Sequence, residues 1–305
     1  HNEETWPGKL ARVEEIFLQM IEALVPEEKV CLLVNDARMQ DRVDQLLHRR
    51  GTGTKNIIYH RTPTGDAWIR DYGPCFIVRS SASRKEAAMV RWIFNAWGGK
   101  YKSLARDNRV FDDLEPVLGM PVFRPGLVLE GGSIDTNGKG TCLATEQCLL
   151  NPNRNPKLSR SQIEKALRDF LGLTHLLWLG EGLEGDDTDG HIDDIARFVN
   201  PATVAAAREK DTSDPNHAVL EKNLKRLEQA ADQDGKRLKI VTLPLPGRVS
   251  TDGRRLPASY LNFYIANGVV LVPTFGHPND AVALKILKEL FPQRRVVGIR
   301  SEDLV

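Results

Sequence analysis

The chain lacks several features that mark common classes of protein. It has four cysteines in 305 residues, and none of them forms a CxxC pair. Neither a disulfide framework nor a zinc site is therefore expected. Lys plus Arg total 42 and Asp plus Glu 41, so no charge excess attracts nucleic acid. No apolar run approaches the roughly 20 residues of a membrane span. The sequence predicts a soluble, cytoplasmic protein with no membrane or nucleic-acid partner.

Glycine motifs that bind nucleotides are also missing. Neither GxGxxG nor GxxxxGK[ST] occurs in the sequence, which gives no support to a dinucleotide or P-loop cofactor. The first residues, 1–4, are not typical of a signal peptide. They include no initiator Met, which suggests that residues are missing upstream. No linker rich in Gly and Ser divides the chain, so residues 1–305 are predicted to form a single catalytic domain.

A repeat is visible in the order of the predicted elements. A strand hairpin, a helix and a short strand recur at a spacing of about 60 residues, which predicts ββαβ units. Two hairpins carry the Asn-Gly turn signal, at Asn137-Gly138 and Asn267-Gly268. The predicted hairpin strands are 76–78 with 88–94 (around a polar turn), 132–136 with 141–149, 195–199 with 204–207, and 260–266 with 269–273. The helices 159–171, 217–232 and 278–291 precede the strands 175–179, 238–242 and 296–299; upstream are helix 9–24, strand 30–34, helix 39–49 and strand 56–59.

Acidic residues surround a single histidine in the run Asp186–Asp194. His191 and Asp193 precede an apolar stretch, so they are predicted to begin a strand with both side chains on one face. A proton carrier beside a carboxylate is able to catalyse, to bind a metal or to hold a cation. The residues of this run alone leave these three alternatives open.

Three further segments place polar residues where apolar strands are interrupted. They are 65–74 with Asp71, 127–133 with Glu130, and 93–101 with Trp97. Each residue alone has an ordinary structural explanation, such as a solvated turn pair, a turn cap or a core aromatic. Charged groups are costly to bury unless they are paired. Acids at several strand ends therefore suggest a shared cationic ligand.

Taken together and in order, these motifs resemble those of a known family. The segments DAWIRDYGP, FNAWGGKY, LEGGSID, DDTDGHIDD and SYLNFYIANGVVLVPTFG are similar to those of agmatine deiminases, within the guanidine-modifying superfamily. The resemblance covers nearly the whole chain, from Glu3 onward. It implies a five-fold pseudosymmetric α/β propeller. It also implies hydrolysis of agmatine to N-carbamoylputrescine and ammonia, in polyamine (putrescine) biosynthesis. The alternatives are a peptidylarginine deiminase and a non-catalytic agmatine- or polyamine-binding protein.

The resemblance also implies a role for each residue of the site. Asp71 and Asp193 would hold the guanidinium nitrogens, which match carboxylates bidentately. His191 would protonate the departing nitrogen and then take a proton from water. Glu130 would orient His191 and favour its charged form. No metal or cofactor is needed.

Two further residues are expected to bind the rest of a small guanidinium substrate, either agmatine or an arginine side chain. Trp97 would stack on the guanidinium or on the aliphatic chain. Asp187 would meet the far amine of agmatine. The sequence leaves open whether the protein is a homo-oligomer.

The nucleophile that the resemblance implies is a cysteine near the C-terminus, after the last helix and strand. The chain ends at Val305, just before that segment is expected, so we expect truncation at both ends and a cysteine beyond Val305. The missing pieces would complete the same propeller blade. Cys75, four residues after Asp71, is the only substitute that the sequence offers, and it continues an apolar run.

Overall fold

The computed structural model describes residues 5–80 and 84–305. The residues before Thr5 and part of the polar turn predicted after strand 76–78 lie outside the described residues. The chain divides into two compact units. The first unit comprises residues 1–67 and 243–305, and the second comprises Trp68–Thr242.

The secondary structure alternates short helices and strands along the whole described chain. The helices are α1 (Leu10–Leu24), α2 (Ala37–Arg49), α3 (Ile69–Tyr72), α4 (Ala96–Gly99), α5 (Val110–Leu118), α6 (Glu146–Leu149), α7 (Arg160–Leu171), α8 (Pro215–Gln229) and α9 (Asn279–Leu290), with 3-10 helices at Lys102–Arg109, Gly131–Ser133 and Ile192–Asp194. The strands are β1 (Val30–Val34), β2 (Ile57–Arg61), β3 (Cys75–Ser80), β4 (Lys85–Val90), β5 (Val122–Phe123), β6 (Ile134–Thr136), β7 (Thr141–Thr145), β8 (His175–Leu179), β9 (Ala196–Asn200), β10 (Thr203–Arg208), β11 (Lys239–Pro244), β12 (Ser250–Thr251), β13 (Arg254–Arg255), β14 (Tyr264–Ile265), β15 (Val269–Thr274) and β16 (Arg295–Arg300).

The first unit is built around helix α1, which buries apolar side chains on two sides. Ile16 belongs to a cluster with Leu271 of β15 and Ile299 of β16. Leu18 belongs to another cluster, with Val30 of β1 and Leu47 of α2. Strands β1 and β2 pair in parallel, and β14-β15-β16 form a three-stranded sheet. An amphipathic helix is stabilised mainly by such burial rather than by its own propensity.

The second unit contains the three-stranded sheets β3-β4-β5 and β6-β7-β8, and it contains the sheet β9-β10-β11 up to the boundary within β11. In the first two sheets the hairpin is antiparallel and the strand after the helical segment pairs in parallel. Sheet β14-β15-β16 has the same pattern. The predicted ββαβ repeat is therefore confirmed. Among the described residues no sheet closes on itself, so the strand pairing alone does not establish a propeller.

Local signals account for the elements that were predicted well. Helix α7 begins at a capping box, in which Ser159 and Gln162 satisfy each other's backbone N–H groups, and it ends at Gly172 with φ +67°. The Asn267-Gly268 turn connects β14 and β15, as predicted. The Asn137-Gly138 hairpin has a longer loop, because the Asn137 side chain accepts hydrogen bonds from the backbone N–H groups of Lys139 and Thr141.

Several predicted strand boundaries are wrong. The strand predicted over 141–149 ends at Thr145, whose hydroxyl caps helix α6 by accepting a hydrogen bond from Cys148 N–H. The strand predicted over 88–94 is β4, Lys85–Val90. The strand predicted from 132 begins only at Ile134, after a 3-10 turn. Among the described residues, no helix combines the length and apolar character needed to cross a membrane.

Candidate active site

The four residues to which the sequence assigns chemistry all lie in the second unit, at the ends of short helical turns. Asp71 is in α3, and Glu130 immediately precedes the 3-10 helix 131–133. His191 immediately precedes the 3-10 helix that contains Asp193. The prediction that His191 and Asp193 begin a strand is therefore wrong, since β9 starts at Ala196. The tight turn, not strand alternation, brings the two side chains to the same side.

Gly132 marks the point where three of these side chains converge. A Cβ atom built on Gly132 would lie 2.5 Å from His191 Nδ1, 2.8 Å from Asp71 Oδ1 and 2.9 Å from Asp193 Oδ2. Only a hydrogen atom fits in this position. His191 Nδ1 itself lies 3.8 Å from Asp71 Oδ1 and 4.0 Å from Asp193 Oδ1. The structure thus brings an imidazole and two carboxylates together above the Cα atom of Gly132.

The Asp71 carboxylate is held by two fixed donors. The backbone N–H of Gly132 donates to Oδ1 over 2.9 Å, and the indole N–H of Trp97 donates to Oδ2 over 2.9 Å. Each carboxylate oxygen has a second lone-pair site, so it retains the capacity to accept from a ligand. The Trp97 indole thus contacts Asp71, and its predicted stacking on a substrate stays a prediction.

The backbone around Trp97 is left-handed. Ala96 and Trp97 have φ angles of 56° and 54°, a conformation that costs about 1–2 kcal/mol for each residue with a Cβ atom. The Asn95 side chain helps to hold this turn by accepting a hydrogen bond from Gly98 N–H. Such strain is found where a side chain must be aimed at a functional site. Here it aims the Trp97 indole at Asp71.

The charges of the site shift the ionisation of its buried groups. Burial lowers the pKa of His191, but the charge of Asp71, the interaction with Cys148 and the charge of Asp193 outweigh it, and the net effect raises that pKa well above its usual value. Burial raises the pKa of Asp193 against the opposing charges of His191 and Arg70. The site therefore favours the protonated imidazole, and the charges around the Asp193 carboxylate do not fully offset the cost of its burial.

Glu130 is fully buried, and Arg154 binds one of its two carboxylate oxygens. Arg154 Nε donates to Glu130 Oε1 over 2.7 Å, and both side chains are 0% exposed. Among the described residues, Glu130 Oε2 and His191 Nε2 have no hydrogen-bond partner. Burial raises the pKa of Glu130, and the charges of His191 and Arg154 oppose this shift. The sequence reading missed Arg154.

The loop that carries His191 is organised by its aspartates. The Asp186 carboxylate accepts from the backbone N–H groups of Gly190 and His191, each over 2.9 Å. Asp189 accepts from Lys100 Nζ over 2.7 Å. Asp187 is exposed at the loop surface, where its carboxylate accepts from the Tyr101 hydroxyl. The predicted contact of Asp187 with a far amine stays a prediction.

Comparisons with known proteins identify the family of the chain. The Porphyromonas-type peptidyl-arginine deiminase family matches the sequence over residues 1–305. The chain belongs to this family. A solved Enterococcus faecalis agmatine deiminase, described as catalysing its reaction, is 31% identical; the match covers 100% of this chain and 87% of that one, with a TM-score of 0.90. A C. jejuni agmatine deiminase with one Cys-to-Ser substitution and bound substrate is also 31% identical, with coverages of 97% and 84% and a TM-score of 0.86.

A curated Marinomonas protein, named as an agmatine deiminase by provisional assignment, is 35% identical to this family member. The match covers 99% of this chain and 85% of the Marinomonas protein. The similarity therefore extends over the whole fold and is not confined to the site motifs.

Cys75 and Cys148 do not present a reactive thiolate. Burial raises the pKa of Cys75 and of Cys148, so both thiols are protonated at neutral pH. Cys148 has an unexpected position, since its Sγ, a Glu130 oxygen and a His191 nitrogen lie within 4.8 Å of one another. Such a set resembles a metal site, but the Arg154 guanidinium bound to Glu130 opposes a second positive charge there.

Proposed function

We propose that this chain forms the catalytic domain of an enzyme that hydrolyses agmatine to N-carbamoylputrescine and ammonia. The observation that carries the proposal is the convergence of Asp71, Asp193 and His191 above Gly132. Two carboxylates beside an imidazole suit a planar cation with N–H donors on several edges. The family and its substrate-bound C. jejuni relative support a guanidinium substrate.

Charge balance explains why a guanidinium would bind. The Asp193 carboxylate is 8% exposed, and the positive charges that act on it include His191, Arg197 and Arg70, whose Nε is 3.9 Å from Asp193 Oδ2. Burial still outweighs these charges, so a guanidinium placed between Asp71 and Asp193 would offset the remaining cost of burying the Asp193 carboxylate. The Trp97 and Gly132 donors would leave one acceptor site on each Asp71 oxygen for the guanidinium N–H groups.

The reaction would proceed through a covalent intermediate. A cysteine thiolate, which we expect beyond Val305, attacks the guanidinium carbon and forms a C–S bond. His191, already cationic, donates its proton to the departing nitrogen, the C–N bond breaks and ammonia leaves. Neutral His191 then takes a proton from water, whose oxygen attacks the same carbon. The C–S bond then breaks and restores the thiolate, the hydroxyl proton of the adduct passes to solvent, and the ureido product is released. Glu130 would stabilise the imidazolium in both steps.

The remaining expectations from the sequence also stay proposals. Trp97 would stack on the substrate, and Asp187 would meet its far amine. The single catalytic domain 1–305 would adopt a five-fold α/β propeller, which the repeated order of its three-stranded sheets supports. A cytoplasmic location is supported by four cysteines that are all free.

The test is ammonia release by the protein expressed from the full gene, with agmatine and with a peptide that contains internal arginine as parallel substrates. We expect turnover of agmatine. Release from the peptide alone would instead favour a peptidylarginine deiminase, the activity named by the family. Calorimetric binding of agmatine without ammonia release would favour a binding protein.

A further inference from the structure

Arg154 is a cation without access to water that contacts two separate parts of the site. Its side chain is 0% exposed. Besides the bond from Nε to Glu130, its Nη1 donates to Asp189 Oδ2 over 2.5 Å, and its Nη2 donates to the carbonyl oxygen of Thr188 over 2.8 Å. Both of the latter acceptors belong to the loop that carries His191.

The surroundings of Arg154 are built to hold it. Asn153 accepts from Nη1 over 2.8 Å and itself donates to Asp189 Oδ2 over 2.9 Å. A Cβ atom on Gly98 would lie 2.8 Å from Nη1, so the left-handed turn next to Trp97 also closes against the guanidinium. All three nitrogens of the Arg154 guanidinium thus donate to acceptors in fixed directions. The ammonium group of a lysine does not reproduce this arrangement.

We propose that Arg154 is a positioning residue that fixes the Glu130 carboxylate relative to the His191 loop and keeps its negative charge paired. The inference rests on the proposed function, in which Glu130 stabilises the His191 imidazolium. Arg154 binds one Glu130 oxygen and leaves Oε2, which has no other partner among the described residues, available to the imidazole.

The charge of Arg154 has a consequence for pH dependence. Burial already raises the pKa of Glu130, and Arg154 is one of the charges that oppose the rise. Without that charge the pKa of Glu130 rises further, so Glu130 becomes protonated at a higher pH. The acid limb of the pH profile of kcat/KM should then move to higher pH. A variant that keeps the positive charge but loses the planar guanidinium group should lower kcat without moving this limb.

The kinetic test uses the full-length enzyme with agmatine. We expect R154Q to lower kcat about 10- to 100-fold, as is usual for residues that orient a reacting group, and to move the acid limb upward by about half a pH unit or more. R154K should lower kcat less and leave the limb in place. The control is R160Q, which removes a half-exposed arginine paired with Glu146 and should change neither quantity.

A second variant keeps the test valid if R154Q does not fold. Asp189 has φ +69°, and asparagine tolerates this left-handed conformation well. D189N therefore keeps the backbone but removes one of the charges that hold Arg154. It should lower kcat without moving the acid limb upward, because Glu130 then faces fewer negative charges. Wild-type kcat and KM in D189N would overturn the proposal.

A measurement independent of turnover separates this inference from the proposed function. Relative to wild type, R154Q should lower the urea midpoint, and this loss should grow as pH rises from about 5 to 8. The reason is that Glu130 has a raised pKa in the folded protein, so its burial destabilises the fold at a pH where the same carboxyl is ionised in the unfolded chain. In the E130Q background the effect of R154Q should not depend on pH. If the wild type does not turn over agmatine but this pattern holds, only the proposed function fails. A pH-independent loss in R154Q, or an unmoved acid limb in folded R154Q, would refute the role of Arg154.

Discussion

Replacement of Gly132 by alanine is the sharpest perturbation that the site offers. The added methyl carbon would lie 2.5 Å from His191 Nδ1, whereas ordinary contacts begin near 3.4 Å. The imidazole must therefore retreat by about 0.9 Å, and the nearest oxygens of Asp71 and Asp193 by about 0.6 and 0.5 Å, if the backbone stays in place. The His191 and Asp193 side chains are buried, and that of Asp71 is 11% exposed. Misplacement by about 1 Å costs on the order of 100-fold in rate.

We therefore expect G132A in the full-length protein to reduce kcat/KM for agmatine by about 100-fold. The assay is ammonia release under subsaturating agmatine, together with urea unfolding to verify the fold. Gly53 provides a matched control, because a Cβ atom there would have no atom within 4 Å and its φ is not left-handed. G53A should keep the wild-type rate. If folded G132A retains more than half of the activity, the convergence above Gly132 is not the site of reaction.

Three other substitutions test separate parts of the reasoning. W97F removes the hydrogen-bond donor to Asp71 and keeps an aromatic ring. A hydrogen bond to a charged group is worth about 1.5–3 kcal/mol, so kcat/KM should fall about 10- to 100-fold. An unchanged rate would show that the indole N–H does not matter. D193N should abolish turnover yet raise the urea midpoint at neutral pH, because the raised pKa of Asp193 means that its charge destabilises the empty fold above about pH 4; a lower midpoint would show that the carboxylate is stabilising. C75S should retain turnover within about threefold, since the high pKa of this half-buried thiol opposes a role as nucleophile, and an inactive but folded variant would contradict this.

The repeated architecture could be predicted because its signals are local. Period and length distinguish strands from helices, and caps such as Ser159 and Asp214 mark where helices begin. The errors fall where side chains override these patterns. Thr145 ends β7 early by capping α6, and the 3-10 turn at Ile192 replaces the expected start of a strand. Both errors lie next to the site, where the chain must turn sharply to present polar groups.

The site itself could be predicted only in part. Asp71 and Glu130 stood out as charged residues where apolar strands are interrupted, and His191 and Asp193 stood out in an acidic run that precedes an apolar stretch. Gly132 falls at the start of the predicted strand 132–136, and the sequence contains no sign that three side chains crowd its Cα atom.

Arg154 carries even less local signal, since it lies in the polar loop between α6 and α7, where a charged residue is expected to be solvated. Its burial depends on partners 24 and 35 residues away in the sequence. A single sequence does not display such pairings. Arg154 could have been found only by asking which arginines of the chain are able to pair with the acidic residues of the predicted site.

The unpaired groups of the site make sense only if a ligand completes them. Buried polar atoms without partners cost about 1–3 kcal/mol each, and Glu130 Oε2 and His191 Nε2 are two such atoms among the described residues. Asp193 adds a carboxylate whose pKa is raised by burial. Replacement of these three polar side chains by hydrophobic ones would remove the free-energy cost of burying them. Their presence around a fully buried Arg154–Glu130 pair indicates a site arranged for a cationic substrate and for proton transfer rather than for stability of the empty protein.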